Sequence, residues 1–180
     1  NTFGMNMLPP AIALFNALLK REGHSVRLFD ATYYSLDYGI DSDGSKADNL
    51  NVMPYDAAEK GIKMKATSWF DDLQKEYDDF SPDLIAMSTT EDMWMLGLTL
   101  LDALKSRIKK DKVPVVVGGV FPTFAPDLVI AQELVNMVCI GEGEDAIVDL
   151  SYRIGKGYKY EDVTNLWVKT DDGRLIKNNV

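Results

Sequence analysis

The chain has 180 residues, 46% of them hydrophobic, with a formal net charge of -9, one cysteine and one histidine. Such a chain can bury one substantial core, while its acidity argues against nucleic acid, whose phosphates need a basic surface. No apolar run approaches the roughly 20 residues that span a bilayer, and the start carries no secretory pattern, so a cytoplasmic, disulfide-free protein with no membrane partner is expected.

The opening lacks an initiator methionine and runs at once toward a helix, which reads as a piece of a longer polypeptide with something upstream missing. After irregular residues 1–8, Pro9 and Pro10 lead into a helix with Ala11, Leu14, Phe15 and Leu18 on one face, ending at Gly23. Val26 to Phe29 reads as a short strand closed by Asp30. Residues 31–66 form a polar excursion holding Tyr33, Tyr34, Tyr38 and Tyr55, in the style of a lid. A helix from Trp69 to Tyr77, a turn at Ser81-Pro82-Asp83 and a buried strand from Leu84 to Met87 follow. Gly97, Leu101, Leu104 and Ile108 share a helical face, and Lys109, Lys110 and Lys112 make a solvated helix end. Val115 to Val117 is the next strand, Pro126 to Val135 the next helix, and Met137 to Ile140 another strand. Ala146, Ile147, Leu150 and Ile154 line the helix after it. The tail breaks the rhythm, because Leu166 to Lys169 and Arg174 to Lys177 flank Asp172-Gly173, a turn signal for an antiparallel hairpin.

Apolar strands alternating with amphipathic helices predict an α/β fold: a doubly wound, flavodoxin- or Rossmann-like parallel sheet with helices on both faces and a C-terminal β-hairpin. In such sheets ligands bind beyond the carboxyl ends of the strands. The segments there are Asp30 to Tyr34, Ser88 to Trp94, Gly118 to Phe124 and Gly141 to Glu144. Gly118 and Gly119 leave their strand without a Cβ, which lets a ligand lie against backbone, and Ser88 and Thr90 offer hydroxyls at the same rim. Gly141 and Gly143 bracket Glu142 just before a helix, whose N-terminus favours negative charge.

Catalytic machinery is harder to find. His24 lies between a helix and a strand start, at the amino edge, which assigns it a surface or capping role. Cys139 reads as a small buried hydrophobe. Neither a Cys-His pair nor a Ser-His-Asp triad can be built, and no P-loop or strand-following GxGxxG is present. These residues describe a holder of a ligand.

The chain resembles the cobalamin-binding domain found upstream of the catalytic barrel in cobalamin-dependent radical S-adenosylmethionine enzymes. The likeness rests on Leu8-Pro9-Pro10, the segments Glu22 to Ala31 and Pro82 to Thr90, Val115 to Gly119 with Pro122-Thr123, and Ile140 to Glu144. It implies a cobalamin whose corrin lies over the carboxyl edge and whose dimethylbenzimidazole tail is withdrawn into the domain. Cofactor contacts would come from Ser88, Thr89, Thr90, Gly118, Gly119, Phe121 and Pro122. Gly141, Glu142 and Gly143 would approach the corrin or nucleotide loop, and Met5 or Met7 could lie under the ring, with Met93 and Trp94 competing for that place. The DxHxxG motif that gives a histidine to cobalt in better-known cobalamin enzymes is missing, so the ligand would be held without a protein imidazole.

The resemblance also divides the chain. Residues 1–160 would be the cobalamin domain with the excursion 31–66, and 161–180 a hairpin and linker toward a downstream barrel of the same polypeptide. In that parent, S-adenosylmethionine and an iron-sulfur cluster bound by CxxxCxxC would drive radical chemistry, with methyl transfer the expected reaction, while the chain itself would bind without turnover. The rival reading is a non-catalytic flavodoxin-like module for another ligand or partner. Within it, a receiver domain lacks its acid pair and lysine, and a flavin site lacks hydroxyls before the first helix, where Gly4, Met5, Asn6 and Met7 stand.

Overall fold

Val115, Val116 and Val117 are successive β-branched residues, stiff at χ1 and suited to a pleated surface, and they form the middle of the parallel part of a five-stranded sheet. The computed structural model describes residues 10–34, 59, 61, 63–170 and 172–180. Strands β1 (Ile85–Ser88) and β3 (Met137–Cys139) run parallel to β2 (Val115–Gly118) on either side of it. Strands β4 (Leu166–Lys169) and β5 (Leu175–Lys177) continue the sheet antiparallel beyond β3, in the order β1-β2-β3-β4-β5. Among the described residues the helices are α1 (Pro10–Arg21), α2 (Trp69–Phe80), α3 (Trp94–Ala103), α4 (Lys105–Asp111), α5 (Val120–Phe124), α6 (Pro126–Ile130) and α7 (Glu144–Lys156).

Register divides the sheet into two faces, since side chains alternate along each strand. Ala86 pairs with Val116, which pairs with Met137, which pairs with Val168, so these residues share one face. Met87, Val117 and Val138 share the other. The second face meets Leu73 and Tyr77 of α2, Leu101 of α3 and Ile108 of α4 in the larger core. Against the first face lie Ala146, Ile147 and Leu150 of α7, with Phe15 and Leu19 of α1 at the margin. Full burial of a side chain such as Leu150 contributes about 1.5–3 kcal/mol.

Several local expectations change. Val26 to Phe29 forms no strand: among the described residues its backbone joins no ladder, and side chains anchor it instead. Arg27 binds Glu76 of α2 at 2.6 Å and lies over the Phe80 ring, while Phe29 stacks on Tyr34. A strand exists only where a neighbour pairs its amides and carbonyls, and this segment has none within the described residues. The run Leu84 to Met87, expected to be buried throughout, becomes the edge strand among the described residues, and its Ala86 and Ser88 are exposed. The face carrying Gly97, Leu101, Leu104 and Ile108 is buried as expected, but it is split between α3 and α4 at Leu104. The helix expected over Pro126 to Val135 stops at Ile130, and α5 precedes it unforeseen. Proline explains the boundary, because Pro126 suits the first turn of a new helix and keeps Ala125 out of helical backbone, with φ -131 and ψ 50.

The expected hairpin forms, turning at Gly173 with φ +83 and closed by Thr170 donating its amide to the Arg174 carbonyl at 2.9 Å. It is part of the main sheet: Leu166 and Val168 pair with β3 and are almost fully buried. Of the lid-like excursion, Tyr34 is buried, donating its hydroxyl to Asp72 at 2.7 Å and accepting from Lys65 at 2.8 Å. Tyr38 and Tyr55 lie outside the described residues. Among the described residues no helix is long and apolar enough to cross a membrane.

Candidate functional site

Side chains on the face beneath α1 and α7 shrink toward the carboxyl ends of the parallel strands. That end of the face carries Ala86 and Ser88 on β1, Gly118 on β2 and Cys139 on β3. Small residues facing two helices leave unfilled volume, and a cavity of about 150 Å³ opens there. Val116 and Leu166 belong to its floor, and Ile147 and Leu150 to the α7 wall. Ala11, Ile12 and Phe15 of α1 close the remaining side.

Turns after the strands build the mouth. Gly119 sits at φ +105, a conformation that side chains rarely adopt, and a Cβ there would lie 2.7 Å from the Thr89 carbonyl oxygen and 3.0 Å from Ser88 Oγ. The fold itself therefore demands glycine at 119, because the exits of β1 and β2 touch there. Thr123 ties this turn to the next: its hydroxyl donates to the Gly119 carbonyl at 2.9 Å and accepts the Gly141 amide at 3.1 Å. Asn165 holds the Glu142 carbonyl at 2.6 Å. At Gly143 a Cβ would lie 2.9 Å from Phe15 Cζ, so the missing side chain lets α1 close over the start of α7. Gly118 differs, since a Cβ there would meet Cys139 Cβ at 3.4 Å, an ordinary contact. Its smallness leaves space in the cavity.

Charge is confined to the rim. Glu142 is exposed and Glu144 half-buried, at the start of α7, a helix with no side-chain N-cap. Inside, burial pushes the Cys139 thiol up to about 11, with the nearby Glu144 charge adding to the effect, so the thiol is neutral at ordinary pH. Among the described residues no buried side-chain nitrogen or oxygen lacks a hydrogen-bond partner.

Ser88, Gly118, Gly119, Gly141, Glu142 and Gly143, all singled out from the sequence, border this one cavity. Thr89, Thr90, Phe121 and Pro122 lie outside its wall. Thr89 is buried and donates its hydroxyl to the Thr90 carbonyl at 2.9 Å. Phe121 packs on Trp94, ring centroids 5.4 Å apart, in the core of the opposite face, and Pro122 is buried. Met5 and Met7 fall outside the described residues. His24 follows the far end of α1, whose first turns through Phe15 line the cavity, and it is not among the wall residues. Sequence reasoning missed Ala86, Cys139 and Phe15 as wall residues. The signal for the first two was the strand alternation that places them on the same face as Gly118.

A parallel sheet hollowed at the carboxyl edge defines the class: a doubly wound α/β domain built to hold a ligand at its strand ends. The B12 binding domain family matches residues 50–151, more than half of the chain, and the chain belongs to that family. One relative, 4'-phospho-dehydrooxetanocin synthase of Priestia megaterium, is 26% identical over 121 residues, a match spanning 66% of this chain and 16% of that protein. Among solved structures, the radical S-adenosylmethionine methyltransferase TsrM of Kitasatospora setae, bound to cobalamin and a [4Fe-4S] cluster, superposes with a TM-score of 0.63 at 15% identity. That superposition covers 96% of this chain and 28% of TsrM. The cobalamin-dependent S-adenosylmethionine radical enzyme OxsB with aqua-cobalamin gives a TM-score of 0.54 at 24% identity over 68% of this chain and 18% of its own. These superpositions establish a shared fold, and the chain spans less than a third of each of these proteins.

Proposed function

We propose that this domain carries cobalamin, with the corrin over the carboxyl ends of β1 to β3 and the nucleotide tail entering the cavity between the sheet and helices α1 and α7. The observation that carries the reading is the cavity itself, which opens at the carboxyl ends of the strands, where doubly wound sheets present ligands, and is bordered by Ser88, Gly118 and Gly141 to Gly143. Gly118 leaves room for the tail, the Ser88 hydroxyl faces its sugar at the mouth, and the α7 amides offer donors to its phosphate. Phe15 and Ile147 exclude water from the tail. Cobalamin, when bound, supplies a cobalt centre able to carry a methyl group. His24, the sole histidine, follows the far end of α1 and is absent from the cavity wall, which supports a cobalamin held without a protein imidazole.

The proposed setting is a radical S-adenosylmethionine enzyme, a methyltransferase with its iron-sulfur catalytic barrel on the same polypeptide, as the likenesses to TsrM and OxsB support. The protein titrated with hydroxocobalamin should shift the ligand's absorption to the base-off form and retain it through gel filtration. Gly118→Val should abolish uptake while leaving circular dichroism intact. An unchanged spectrum at millimolar ligand would sink the carrier reading.

A further inference from the structure

We propose that the cavity discriminates between corrinoids by their lower base, accepting an alkylated benzimidazole and rejecting a purine. The inference rests on the carrier reading and asks what kind of base the cavity suits. A volume of about 150 Å³ is comparable with apolar cavities that admit a single benzene ring, so it suits the six-membered ring of the base and leaves the imidazole ring, sugar and phosphate at the mouth. The surfaces that would touch the base are Ala86, Val116, Phe15, Ile147, Leu150 and Cys139. None presents a charged or amide group.

The one heteroatom among them, Cys139 Sγ, lies 4.0 Å from the Glu142 carbonyl, toward which it is the donor, and burial keeps it protonated. Val116 and Cys139 lie on inner strands with a partner strand on each side, and the free backbone edge of β1 at Ala86 and Ser88 points outward in the plane of the sheet, away from β2. The polar side chains of the site, Ser88, Glu142 and Glu144, stand at the rim. A dimethylbenzimidazole presents carbon and methyl edges to these walls and loses little on leaving water. Adenine would bring an exocyclic amine and additional ring nitrogens into a space where no side-chain partner meets them. Each buried polar group left unpaired carries a desolvation penalty equivalent to roughly ten- to a hundredfold in affinity.

The test titrates the full chain separately with cobalamin, with its adenine-bearing analogue and with cobinamide, which lacks the nucleotide, using absorption and calorimetry. Cobalamin should bind at least about tenfold more tightly than the adenine analogue, with cobinamide also weaker. Val116→Thr, which adds a hydroxyl to the floor, should narrow the ratio between cobalamin and the adenine analogue. Equal affinity for the two complete corrinoids would overturn the selectivity while leaving the carrier reading standing. Cobinamide binding as tightly as cobalamin would overturn it too, by showing that no base occupies the cavity. Failure of all three to bind would bring down the carrier reading and the selectivity with it.

Discussion

The two faces of one sheet are packed to opposite ends. On the face toward α2, α3 and α4, Val115, Val117 and Val138 meet Leu101, Leu104 and Ile108 in one core of buried side chains. On the face toward α1 and α7 the same strands present Ala86, Ser88, Gly118 and Cys139 near their carboxyl ends, and a cavity remains. Toward the carboxyl ends of the strands, alternation thus assigns bulk to one side and space to the other. There a large side chain is an asset on the first face and an obstruction on the second.

Substitutions can break this contrast. Ala86→Leu should fill the cavity, abolishing cobalamin retention on gel filtration while the thermal midpoint holds or rises; unimpaired retention would mean that the tail goes elsewhere. Leu101→Ala, on the packed face, should cost about 2–5 kcal/mol in denaturant unfolding yet leave corrinoid affinity in the surviving folded protein unchanged. Gly119→Ala should cost about 1–3 kcal/mol, because it forces a side chain into φ +105 against the Thr89 carbonyl. If that variant were as stable as the parent, the placement of Gly119 as a structural glycine would be wrong.

Two smaller effects sharpen the comparison. Thr123→Val removes the hydroxyl that bridges the Gly119 and Gly141 turns and should lower stability by about 1 kcal/mol, with faster amide exchange at Gly141. Cys139 gives a pH signature of the cavity face. Its native pKa of about 11 lies above the ordinary thiol value of 9.0, so the native state keeps the proton after the unfolded chain has released it. The associated stability is complete below pH 9 and is lost as pH rises to about 11, by up to about 3 kcal/mol, and Cys139→Ala should remove that part of the decline. A slope identical in the variant would show that the thiol is not buried in solution.

Much of this was legible in the residues. Runs such as Val115 to Val117, and the three-and-four spacing of Ala146, Ile147 and Leu150, declare strand and helix because period and branching act locally. The site's glycines were legible for the same reason, as Cβ-free residues leaving strands. Less legible was Val26 to Phe29, whose composition suits a strand but whose state depends on a neighbour. Phe121 and Thr89 show a similar limit: adjacent to the site in sequence, they turn into the opposite core and into their own backbone.

Amino-acid order alone determined the alternation of elements, the glycines at the carboxyl edge, the lack of a second histidine, and the hairpin at Asp172-Gly173. Only the tertiary structure decided which face is hollow, that α1 supplies Phe15 to its wall, and that Gly119 answers to Thr89. The division has a physical cause. Local propensities act over a few residues, whereas a cavity is volume left between elements distant in sequence, and it appears only when the register of three strands and the seat of two helices are set together.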